Sequence, residues 1–166
     1  MRHTWEGFDP VLLERGVSVA ASIARAVFDD GSAVGLIANG SFPDADRPLR
    51  IGASRRPDQL SDILEMLAMV QPMIPSRLAD ELESHEHTLP AGATIVVVAA
   101  LMPDDLAATL VRLRSEGYAV YVIKTSYDEW EFDLAPLPVI DVAATMEALE
   151  DDEAELSSPV LKGTDR

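Results

Sequence analysis

At 166 residues and 48% hydrophobic composition, the chain has the length and apolar content of one folded domain, and aromatics at 5% leave the core to Leu, Val, Ile and Ala. The formal net charge of −16 repels phosphate backbones and anionic membrane surfaces, so no nucleic-acid partner is expected. The absence of Cys excludes a disulfide framework and thiolate chemistry, and no apolar run reaches the roughly 18 residues of a membrane span, so the sequence as given reads as cytoplasmic.

Residues 1–9 are polar, with Trp5 and Phe8 and no apolar core of signal-peptide length. Asp9-Pro10 has the form of a helix entry, and Leu12, Leu13, Gly16, Val19, Ala20, Ile23, Ala24 and Val27 then recur at helical spacing. Arg15, Ser18, Ser22 and Arg25 fall between them, which predicts an amphipathic helix ending near Asp29-Asp30-Gly31. Ala33–Ala38 reads as a short apolar strand broken by Asn39-Gly40, followed by a polar loop over Ser41–Pro48 and a short antiparallel edge strand at Leu49–Gly52. A second helix opens at Pro57-Asp58, with Leu60, Ile63, Leu64, Leu67 and Ala68 on one face, and stops at Pro72 and Pro75. Ser76 is placed to cap a third helix running to about Ser84.

The stretch Thr94–Leu101 is an unbroken apolar run, β-branched from Thr94 to Val98. A half-exposed strand alternates polar and apolar residues; one covered on both faces need not. It therefore reads as an interior strand of a parallel sheet with helices on both faces. A fourth helix from Pro103, with Leu106, Leu110, Val111 and Leu113 inward, ends at Gly117, and Ala119–Ile123 completes a strand-helix-strand unit. Pro138–Val142 reads as a last strand and Ala143–Leu149 as a short helix. Residues 1–150 then make one domain and 151–166 an acidic, disordered tail; Glu147–Glu155 alone holds six acids.

The chemistry-bearing residues form no recognisable catalytic constellation. His85-Glu86-His87 places its histidines at i and i+2, on different helix faces, whereas zinc-binding pairs sit at i and i+4. No serine lies in a nucleophile elbow, and Gly31, Gly35 and Gly40 do not have phosphate-loop spacing. Asp104-Asp105 follow a strand's C-terminal end, where open α/β sheets place ligands; they read as first-turn acids favoured by the helix dipole, with a divalent-ion site as the alternative. Arg47, Arg50, Arg55 and Arg56 form a basic cluster suited to an acidic partner segment or to a solvated loop. Tyr127, Trp130 and Phe132 form an aromatic group suited to partner docking or to covering a sheet edge. The candidate partner contacts are thus Arg47, Arg50, Arg55, Arg56, Tyr127 and Trp130, with no catalytic residue, metal ligand or cofactor assigned.

Val19–Arg25, Ala33–Gly40, Ile63–Pro72, Leu89–Val98 and Arg112–Val120 resemble, in this order, successive blocks of the domain of unknown function 58 family. The resemblance implies a von Willebrand factor A-like domain, a three-layer, mostly parallel α/β sheet of Rossmann-like kind. It implies longer relatives anchored in the membrane with this domain in the cytoplasm, and partnership with MoxR-type AAA ATPases in assembly or envelope maintenance. In the usual strand order of such sheets, 3-2-1-4-5-6, the first strand lies in the middle. The resemblance implies that this chain starts after it, so Ala33–Ala38 and Thr94–Ala100 are each expected to present an unpaired edge, a route to self-association. The metal-binding Asp-x-Ser-x-Ser pattern is absent, and Ala99–Met102 replaces the later Thr-Asp-Gly, so no metal residue is carried over. The reading that follows is a non-catalytic protein-interaction module. The alternatives are a small α/β enzyme acting near Asn39 and Asp104, and a gene fragment without a function of its own.

Overall fold

The structure is a computed structural model that describes residues 9–42, 45–71, 77–131 and 133–157. Its elements in chain order are α1 (Pro10–Asp29), β1 (Val34–Phe42), β2 (Ala45–Ser54), α2 (Gln59–Met69), α3 (Leu78–His85), a 3-10 turn (Glu86–Thr88), β3 (Thr94–Ala99), α4 (Asp104–Ser115), β4 (Ala119–Lys124), β5 (Val139–Asp141) and α5 (Ala143–Ser157). The fold is mixed α/β. The strands form two sheets: an antiparallel pair β1-β2 and a parallel sheet in the order β3-β4-β5.

Local chemistry explains most boundaries. Asp9 Oδ1 accepts the Val11 backbone N–H at 2.9 Å and Pro10 occupies the first turn, which starts α1. Gly31 (φ 78°) follows α1 and Gly117 (φ 103°) follows α4, each in the left-handed region where a Cβ is disfavoured. The proposed stops at Pro72 and Pro75, and the Ser76 cap, lie outside the described residues.

Four expectations are corrected. Asn39-Gly40 does not end β1, which runs to Phe42, and most of the expected loop 41–48 is strand instead: β2 starts at Ala45. Register shifts between Val34 and Leu36 and between Ala38 and Ser41 absorb the irregular residues, so the hairpin continues through them. Among the described residues β3 is not interior to its sheet; it pairs with β4 alone and occupies the edge. Val111 is not inward-facing but 36% exposed. Lastly, α5 continues past Leu149 to Ser157, so the acidic run is largely helical.

Two apolar clusters hold the elements. Leu106, Ala107, Leu110 and Leu113 of α4 pack on Val97, Val120 and Val122, with Ala79 and Leu82 of α3 beside them and Ile37 of β1 at the margin. The alternation in β4, with Val120 and Val122 buried and Tyr121 exposed, shows that α4 covers one face of the parallel sheet. The second cluster joins Ala24 of α1 to Ile63 and Leu67 of α2, against Val34, Leu36 and Ile51. Leu36 and Ile37 thus face opposite sides of the hairpin, toward α1 and α2 on one side and the α3–α4 cluster on the other.

Arg15, assigned by periodicity to the polar face of α1, is buried at 8% exposure. Its Nε and Nη2 donate to the two carboxylate oxygens of Glu150 at 2.8 and 2.9 Å, a bidentate pair tying α5 to α1. Those hydrogen bonds hold the Glu150 carboxyl below its ordinary value and raise the Arg15 guanidinium. A carboxyl depressed in the folded state stabilises fully above its unfolded value and loses that contribution as the pH falls through the folded one. Glu150 keeps 40% of its side chain in solvent, so screening limits the pair to about 1 kcal/mol. Glu150→Gln is therefore expected to lower the urea midpoint at neutral pH, with the variant and parent midpoints converging as the pH drops below about 4.

Candidate functional site

A groove of about 1480 Å³ lies between the two sheets. Unbroken runs of residues line two of its walls, Ser32–Gly40 around β1 and Ala93–Leu101 around β3, with α1 and the β2 run Arg50–Ala53 completing it. Successive strand residues point to opposite faces, so a cavity against one face of a strand touches every second residue. Contact with consecutive residues means that the groove reaches along the strand edge. Strand pairing agrees: among the described residues β1 pairs only with β2 and β3 only with β4, which leaves one edge of each unpaired.

The β1 wall is held by a residue that sequence reading passed over. Gln59, at the start of α2, is fully buried, and its Nε2 donates to Val34 O at 2.7 Å and Gly52 O at 2.8 Å. Its Oε1 accepts from Arg56 Nη2 at 3.2 Å. The side chain thereby bridges β1 and β2 beside a shift in their register. Gly35 sits at the same irregularity: a Cβ there would lie 2.7 Å from both Ala53 N and Ile51 O, so the strands approach too closely for any other residue.

The β3 wall is held at its C-terminal end. Ala100 O accepts from Ser126 Oγ and from Trp130 Nε1 at 3.2 Å, and Thr125 N donates to Ala99 O at 3.1 Å. Thr125 Oγ1 is buried at this end of the groove with no hydrogen-bond partner among the described residues. Asn39 and Asp104, from opposite sides, line the same groove.

The expected partner contacts do not assemble into one patch. Arg50 lines the groove, and its guanidinium meets His85 Nδ1 at 3.1 Å and Thr88 Oγ1, fastening β2 to the end of α3. Arg56 pairs with Asp62 at 2.9 Å and Asp58 at 3.4 Å at the start of α2. Arg55 is exposed, Arg47 is described only as part of β2, and Phe132 lies outside the described residues. Trp130 packs on the α4 cluster with Lys124 Nζ 5.8 Å from its ring centroid, so it covers the sheet. Tyr127 is 55% exposed and donates its hydroxyl to Glu147, which raises its pKa.

Asp104 and Asp105 stand in the first turn of α4. Asp105 Oδ1 accepts the Leu106 N–H at 2.9 Å, and Oδ2 meets Arg77 Nη1 at 3.2 Å, so its oxygens are engaged in a cap and an ion pair. His85 sits 3.6 Å from Glu81, one helical turn away, and His87 is exposed in the 3-10 turn. No group of three or more metal-ligating side chains gathers among the described residues. No described helix is long and apolar enough to cross a membrane. Comparison with protein-family models, with curated proteins and with solved structures finds no match.

Two stability measurements test this construction. Gln59→Leu removes the donors to two part-buried carbonyls and is expected to cost about 1–3 kcal/mol in chemical denaturation. Thr125→Val removes a buried hydroxyl that already lacks a partner and is expected to leave stability unchanged or raise it by about 1 kcal/mol.

Proposed function

We propose that this chain is a non-catalytic protein-interaction module that receives its partner in the groove between β1 and β3. The observation that carries the proposal is the groove's size and lining. At about 1480 Å³ it exceeds the ~300–1,000 Å³ usual for small-molecule sites, and α1, β1 and β3 supply mainly aliphatic walls. An apolar opening of this extent on a chain with net charge −16 is a local exception to a strongly solvated surface. The ordered resemblance to the domain of unknown function 58 family supports a MoxR-type AAA ATPase as the partner, in assembly or envelope maintenance.

A second reading, a small enzyme of α/β fold, draws on the convergence of Asn39, Asp104 and the Thr125 hydroxyl on the same groove. It requires a saturable turnover that Asp104→Ala abolishes.

Val96 lines the groove at 37% exposure, whereas Tyr121, its register partner on β4, is 42% exposed and outside the groove lining. Affinity for a purified MoxR-type AAA ATPase from the same genome, measured by calorimetry, is expected to fall at least about tenfold in Val96→Glu, as a charge is forced against apolar surface. Tyr121→Glu is expected to bind like the parent. Equal binding by both variants, with circular dichroism unchanged, rules out the groove as the docking site.

A further inference from the structure

We infer that the groove is a strand acceptor: its occupant is a single extended, uncharged, β-branched segment of a second polypeptide, hydrogen-bonded to β1 on one side and β3 on the other. This rests on the reading of the chain as an interaction module and goes further, since it names the conformation and chemistry of what is bound.

The argument starts from the backbone. Alternate residues of a strand present peptide groups at an open edge, and these require hydrogen-bond partners once water is excluded. Among the described residues two such edges, on β1 and β3, border one cavity whose intervening walls are aliphatic: Val17 and Ala20 of α1, Leu36 of β1, Val96 and Val98 of β3. Side chains entering such a groove would fill its volume and leave both edges unpaired. An extended backbone satisfies both at once, because its amides alternate in direction from residue to residue. The result is one continuous sheet in the order β2, β1, donor, β3, β4, β5. The paired run of β3, Thr94–Ala99, sets the donor at about six residues, or roughly 20 Å.

The same count of edges excludes a folded second copy. Each strand described here already spends one edge on a neighbour within its own sheet, so a strand still in its sheet brings only one free edge to a site that offers two. The donor therefore has to be a segment outside any sheet. Its composition follows from the walls. Of the charged lining residues, Asp9, Arg77, Asp104 and Asp105 stand at helix N-termini and only Arg50 lies within a strand, so a charge on the donor would find no counterpart along the β1 and β3 runs. Residues 1–8 and 158–166 do not have that composition: the first stretch carries Arg2, His3 and Glu6, and the second Lys162, Asp165 and Arg166. The buried Thr125 hydroxyl, without a partner at the end of the β3 wall, is a further polar atom that an incoming backbone can satisfy.

The test uses the full chain and a synthetic peptide bearing the sequence of β3, Thr-Ile-Val-Val-Val-Ala, flanked by lysines for solubility. This sequence is uncharged, β-branched and apolar on both faces. Two further peptides carry N-methyl groups on alternate amides, one set on the odd positions and one on the even. Binding of the parent peptide is expected to slow amide exchange at least about tenfold in both 34–40 and 94–99, and each N-methylated set is expected to bind at least about tenfold more weakly, because each blocks one edge. Sensitivity to only one set, or protection of only one strand, overturns the inference in favour of single-edge pairing. Binding that Val96→Glu weakens but neither N-methyl set affects overturns strand insertion while leaving the groove as a docking site. Protection of both runs before peptide is added overturns donation by a second polypeptide. No binding at all overturns the strand reading, whereas the docking reading is decided separately by the ATPase measurement.

Discussion

Unpaired backbone is the constraint on which the rest of this structure turns. Among the described residues the apolar strands β1 and β3 each pair along one edge only, and they border the same groove. In a compact α/β domain such edges are ordinarily paired, shortened, charged or covered, because an open apolar edge invites another strand. Here neither β3 nor the described side chains of β1 carry a charge. The surrounding elements serve to keep the two edges apart and in place: α1 with α2 on one side of the hairpin, α3 with α4 on the other, and the loop after β4 clasping the end of β3.

What holds the walls is mostly polar and specific. Gln59 Nε2 donates to a carbonyl on each strand of the hairpin, beside a shift in its register. Arg15 reaches from α1 to Glu150 and fastens the last helix. Arg112 does similar work on the outer side of α4, meeting Glu86 at 2.9 Å and Glu116 at 2.8 Å, and those hydrogen bonds raise its own pKa and help to depress that of Glu86. These contacts are orientation-dependent where aliphatic packing is not, so they fix the relative placement of elements whose apolar faces would tolerate sliding. The groove is framed in this way by directional bonds and walled by aliphatic side chains.

The basic cluster and the aromatic group, which looked like docking features, are largely consumed within the chain. Arg56 meets Asp58 and Asp62 at the start of α2, Arg50 joins β2 to α3, and Trp130 packs on the α4 cluster. A surface with net charge −16 contains ample acidic partners for each arginine, so residue type alone overstates how many remain for another molecule. The recognition surface lies instead where no charged motif marks it.

Periodicity and punctuation alone determined α1, α2 and α4, the parallel β3-α4-β4 unit, and the apolar runs that form β1 and β3, because helix and strand periods and Asp, Pro and Gly signals are local. The expectation that two edges would lack partners came from the family resemblance and not from periodicity. Periodicity and punctuation misplaced the end of β1 and the face occupied by Arg15 and passed over Gln59, since these depend on strand register and on neighbours up to more than a hundred residues distant. A strand buried on both faces and an edge strand beside an apolar groove have the same residue pattern; only the tertiary arrangement of the two sheets distinguished them. The site itself was legible as two hydrophobic strands but not as one groove, because hydrogen-bond pairing between strands is a property of their positions in space and leaves no fixed mark on either sequence.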